Sequence, residues 1–95
     1  MKIPKTLKIL GHQVNIVGIN DLEKRNGLAA TGACYFTENR IWVDSSRPTQ
    51  QQEATLIHEI IEYLNAAMEL DLKHNVICSL ESGLYQVLKD NNLLK

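Results

Sequence analysis

The spacing of apolar residues changes at Ser45, and that switch limits the folds open to the chain. Before it, apolar and polar residues alternate: Leu7 and Ile9 flank Lys8, and Val14 and Ile16 flank Asn15. A period of two marks a strand with one buried face. Gly11-His12 lies between these runs as a turn, which predicts a first β-hairpin. A second is predicted from Thr31 to Phe36 and Arg40 to Asp44, turning at Glu38-Asn39, because Asn tolerates the left-handed backbone of tight turns. The polar, Gly-bearing stretch from Asn20 to Gly32 reads as a loop between the hairpins, of a length often given to function or motion.

After Ser45 the period becomes helical. Ile57, Ile60, Ile61, Leu64, Ala67 and Met68 recur at the spacing of one helix face, which predicts a helix over 49–70. Thr49 is expected to cap it, with Gln52 completing a capping box. Asp71-Leu72-Lys73 makes a short break, and Val76, Ile77, Leu80, Leu84, Val87 and Leu88 mark a second helix over 73–91. The fold class is α+β: a small antiparallel sheet of two hairpins in residues 1–44, followed by an antiparallel two-helix hairpin packed on one face. At 95 residues this makes one domain, 1–95. Val14, Ile16, Phe36, Ile41, Val43, Ile57, Ile61, Leu64, Leu80 and Leu84 are expected to share its core.

Composition removes several classes of function. A net charge of −1 gives no footing for nucleic acid or an anionic membrane surface. No run approaches the roughly 18 apolar residues of a membrane span. Met1-Lys2-Ile3-Pro4-Lys5 lacks the apolar stretch of a signal peptide, so a cytoplasmic location is expected. Cys34 and Cys78 are then expected as reduced thiols, packed as small apolar side chains. Charge is unevenly spread: residues 1–48 hold seven Lys/Arg against four Asp/Glu, and residues 49–95 hold three against seven.

The acidic half contains the stretch that carries chemistry, Leu56-Ile57-His58-Glu59-Ile60-Ile61-Glu62. A helix turns about 100° per residue, so His58 and Glu62 stand one above the other on the shoulder of the apolar face. Glu59 points to the neighbouring side. Two ligands one turn apart, with a carboxylate beside them, is the arrangement that HExxH helices use for metal and general base.

The segment resembles the active-site helix of zincin metallopeptidases, with Glu62 where their second histidine stands, so the motif reads HExxE. The order of elements is similar to a minimal gluzincin core: sheet, active-site helix, then a second helix carrying a glutamate ligand. The ending Gly83-Leu84-Tyr85-Gln86-Val87-Leu88-Lys89-Asp90-Asn91 is similar to that of short phage and prophage proteins whose helix reads His-Glu-Ile-Ile-His or His-Glu-Ile-Ile-Glu. The resemblance implies a bacterial host cell, a peptide or protein as substrate or partner, and zinc or another divalent metal as cofactor.

A third ligand is sought by register. An antiparallel helical hairpin centred between Asp71 and Leu72 brings Glu81 level with Glu62, and Tyr85 level with His58. His74 falls level with Glu69. Glu81 is therefore expected to join His58 and Glu62 as a metal ligand, with His74 the other candidate and Tyr85 placed to stabilise an oxyanion. Glu59 would take a proton from metal-activated water attacking a peptide bond. The Arg40–Asp44 strand is a candidate edge for pairing with an extended peptide. The alternative is a non-catalytic binding module that retains the metallopeptidase fold. A scaffold that dimerises through a helix face is a further option.

Overall fold

A computed structural model describes residues 2–23 and 30–94. Among the described residues, strands and helices follow the expected order: β1 (Thr6–Ile9), β2 (His12–Ile19), β3 (Gly32–Tyr35), β4 (Arg40–Asp44), α1 (Thr49–Met68) and α2 (His74–Asp90). The fold is α+β, as the change of period implies.

Both hairpins form where the alternation places them. β1 and β2 pair antiparallel, Leu7 opposite Val14 and Ile9 opposite His12. Their turn is Leu10-Gly11, both left-handed at φ 52° and 82°, as a two-residue hairpin loop demands. β3 and β4 pair antiparallel with Cys34 opposite Ile41. A short 3-10 turn over Phe36–Glu38 joins them and closes on Asn39 at φ 50°. The Asn39 side chain accepts a hydrogen bond from the Tyr63 hydroxyl at 2.6 Å, which ties this turn to α1.

The hairpins meet through a parallel pair, β2 with β4, with Ile16 opposite Ile41. The sheet order is therefore β1-β2-β4-β3, and β4 is interior. Its expected role as an edge passes to β3. Parallel neighbours need a crossover of a dozen or so residues, and the stretch read as a loop after Asn20 spans that distance. Residues 24–29 of it lie outside the described residues. Leu22 anchors its start, fully buried, its N–H donating to an Asp44 carboxylate oxygen at 3.3 Å.

α1 starts one residue earlier in its capping than the sequence suggests. Pro48 occupies the N-cap, with no side-chain cap. Gln52 turns back, its amide donating to the carbonyls of Ser45 and Arg47 at 3.3 and 2.8 Å, so it pins the preceding loop and completes no capping box.

Val14, Ile16, Ile41 and Val43 of the sheet pack on Leu56 and Tyr63 of α1, with Phe36 and Leu64 partly buried against them. Ile57, Ile61 and Ile77 form a second cluster between the helices. Leu80 and Leu84 do not join it: they are 42% and 45% exposed, whereas Ile77 is 1% exposed. The apolar residues of α2 fill an arc too wide for one contact. The row Ile77, Tyr85 and Leu88 turns toward α1, and Val76, Leu80, Leu84 and Val87 turn to solvent. Among the described residues no helix is long and apolar enough to cross a membrane.

Candidate metal centre

The link between the helices sets the register of the site. α1 ends on Glu69 in the left-handed conformation, φ 51°, and Asp71 adopts it again at φ 58°. The chain then doubles back. The Asn65 side chain accepts from the Leu72 N–H at 2.9 Å and donates to the Leu72 carbonyl at 3.4 Å. With Leu72 held beside Asn65, the helical hairpin is centred near Glu69, earlier than the sequence alone suggests. His74 consequently comes to Glu62, Glu81 to His58, and Tyr85 to Glu53.

On α1, His58 Nε2 lies 3.6 Å from a Glu62 carboxylate oxygen, as a spacing of four residues requires. From α2 the His74 ring meets the His58 ring edge-on, centroids 5.4 Å apart. His58, Glu62 and His74 each offer a ligand atom, all within 4.8 Å of one another, close enough to share one ion.

Glu81, expected as the third ligand, contacts the other nitrogen of the His58 ring, Oε1 to Nδ1 at 2.8 Å. A carboxylate on Nδ1 favours a proton there, and in the neutral ring that leaves the Nε2 lone pair on the side of Glu62. Glu81 thus stands behind His58, and His74 takes the third place in the group. Tyr85 is drawn away altogether. Its hydroxyl donates to Glu53 Oε1 at 2.7 Å, and burial followed by that hydrogen bond pushes the phenol up to about 12. It is not placed to stabilise an oxyanion at His58.

Glu59 is 6% exposed and turned toward the sheet. A Cβ on Gly32 would lie 3.0 Å from its carboxylate oxygen and 2.5 Å from the Thr55 methyl, so only glycine lets β3 approach α1 this closely. The Thr31 and Thr55 hydroxyls, 2.9 Å apart, join strand start to helix. Burial raises the Glu59 pKa to about 7, with the charges of Glu62 and Glu81 adding to it and His58 opposing.

Two cavities reach this cluster. One of about 230 Å³ opens on His58, Glu59, His74, Cys78 and Glu81. The other, about 390 Å³, opens on Glu59, Glu62, His74 and Cys34. Both cysteines are free thiols, each partly exposed. Burial, then the Glu59 and Glu62 charges, push the Cys34 thiol up to about 12.

A larger cleft of about 610 Å³ lies elsewhere, beside Asp21, Asp44 and Arg47. Its buried acid is fully engaged: Asp44 accepts from the Ser46 hydroxyl and N–H, the Leu22 N–H and the Arg47 side chain. The Ser46 hydrogen bond is the foremost of the causes that hold the Asp44 carboxyl below the usual range. Those bonds tie loops together and occupy both oxygens of the Asp44 carboxylate.

The sequence underplayed His74. The signal was present in the equal spacing of His58–Glu62 and His74–Cys78, four residues each. Opposed helices bring His74 of the second pair to the first. No protein-family model, curated protein or solved structure matches the chain. The class defined by fold and geometry is accordingly a small α+β protein with a His–Glu–His group between two helices.

Proposed function

We propose that the chain is a small metal-dependent peptidase, with a zinc-type divalent ion held by His58, Glu62 and His74. The observation that carries this reading is the gathering of those three side chains beside a buried glutamate, Glu59. Two imidazoles and one carboxylate are a donor set of catalytic zinc centres. The gluzincin-like composition is kept, with histidine and glutamate exchanged between the two helices. The spacing fits: ligands on a tetrahedral zinc stand about 3.3 Å apart, against 3.6 Å between His58 and Glu62. The Glu81 carboxylate behind His58 is the support that ligating histidines ordinarily have.

A divalent ion bound there would supply Lewis acidity and bring the pKa of water down toward about 7. Glu59, buried beside the three side chains, would take the proton of a water molecule in the cavity and return it to the leaving amine. Gly32 keeps the strand backbone clear of that carboxylate. β3, an edge of the sheet that lines both cavities, offers pairing to an extended peptide. Cytoplasmic location in a bacterial host and phage or prophage origin belong to the same proposal, on the resemblance.

Hydrolysis of a fluorogenic peptide library by zinc-loaded protein tests it. Glu59→Gln should bind zinc as the parent does and lose about 10²–10⁴-fold in rate. Equal rates above background would remove Glu59 as the base, and no hydrolysis by the zinc-loaded parent would leave a binding module on this fold.

A further inference from the structure

We propose that Cys78 is a further ligand of this centre, its thiolate taking the coordination position that His58, Glu62 and His74 leave open. The inference rests on the metal reading above and adds to it a mode of regulation.

Cys78 follows His74 by one turn on the same face of α2, and its Sγ lies 3.4 Å from His74 Nε2. Zinc–sulfur and zinc–nitrogen bonds meeting at a tetrahedral angle put the two atoms about 3.5 Å apart. Three residues further on is Glu81, which holds the His58 ring. Cys78 is therefore bracketed on α2 by two residues that both meet His58, and it lines the same cavity as His58, Glu59 and His74. Three donors make an open centre, and a fourth closes it. On binding, the thiol releases its proton to solvent and a sulfur–metal bond forms, with no change of oxidation state. The resting centre is then closed to water, and hydrolysis requires Cys78 to leave. Cys34, on β3 beside the other cavity, provides the internal control.

Cobalt(II) added to the chelator-treated parent, Cys78→Ser and Cys34→Ser reads the ligands directly. Thiolate ligation produces a sulfur-to-cobalt charge-transfer band in the near ultraviolet, while ligand-field bands in the visible report bound cobalt of any ligand set. We expect the near-ultraviolet band in the parent and in Cys34→Ser, and its complete loss in Cys78→Ser with visible bands remaining. Visible bands without the charge-transfer band in the parent, or a band that survives Cys78→Ser, would overturn the role of Cys78 and leave the three-ligand centre standing. No cobalt bound to the parent would overturn both. If Cys78→Ser does not fold, alkylation of the parent by iodoacetamide decides the matter, read at the Cys78 peptide. Protection by cobalt supports ligation, and an unchanged rate overturns it.

Discussion

Glu53 and Glu59 lie six residues apart on α1 and are both buried, 0% and 6% exposed, yet they are driven in opposite directions. Burial alone would raise both. At Glu53 it is outweighed by hydrogen bonds that include those of Tyr85 and Lys89, and the carboxyl falls to about 2. At Glu59 the surrounding charges are mostly acids, and the carboxyl rises to about 7. One end of the helix pair is therefore a satisfied ion pair that holds α2 in place. The other raises a carboxyl so that it titrates near neutral pH, where a general base can both take and return a proton. The difference lies in the partners: donors that include Tyr85 and Lys89 at Glu53, and the acids Glu62 and Glu81 beside Glu59.

The contrast depends on the face that α2 turns inward, and the largest expected effect tests that face. Ile77→Ala should cost about 2–5 kcal/mol, as truncation of a buried aliphatic does. Leu80→Ala, half exposed, should cost less than about 1 kcal/mol. Urea denaturation measures both, and equal losses would mean that α2 is rotated from the position described.

Next in size is the pair of isosteric changes at the acids. Glu53→Gln at pH 7 should destabilise by about 1–3 kcal/mol, because Tyr85 and Lys89 lose their charged acceptor. Glu59→Gln should have the opposite sign at pH 8 and raise the thermal midpoint, since it removes a charge held among Glu62 and Glu81. A fall at both positions would dissolve the contrast between the two ends.

The same contrast should appear in the pH profile of metal-free protein. Glu53 binds its proton less tightly folded, near 2, than unfolded, near 4.5, so its contribution is present above pH 4.5 and is lost as pH falls toward 2. Glu59 binds its proton more tightly folded, near 7, so stability declines as pH rises from about 4.5 to about 7. These two groups put the maximum near pH 4.5, and Glu59→Gln should flatten the alkaline side. Thermal unfolding across that range checks both limbs.

The strands and helices were legible because their periods differ, and each period follows from local geometry. Val14 and Ile16, and Ile57 and Ile61, went to the core as their spacing implies. The face of α2 was not legible. Leu80, Leu84 and Val87 satisfy a helical period as well as Ile77 and Leu88 do, and only contact with α1 separates the two stripes. Register was lost for a related reason. It is set by Asn65 clasping Leu72 and by acidic residues, Glu69 and Asp71, in a left-handed backbone that is uncommon for them. That displacement moved Tyr85 from His58 to Glu53 and exchanged Glu81 for His74 at the site. Joining of the hairpins through parallel strands depends on the crossover, whose course no periodicity records. The pairing of His58 with Glu62 survived because a helix imposes it.

Calorimetric titration of zinc into chelator-treated parent, His74→Ala and Glu81→Gln tests the centre most directly. One equivalent should bind to the parent. His74→Ala should lose that binding. Glu81→Gln should keep the stoichiometry with affinity lowered about 10–100-fold, because it orients His58 without touching the ion. A parent that takes up no zinc, or a His74→Ala titration that overlays the parent's, would contradict the account.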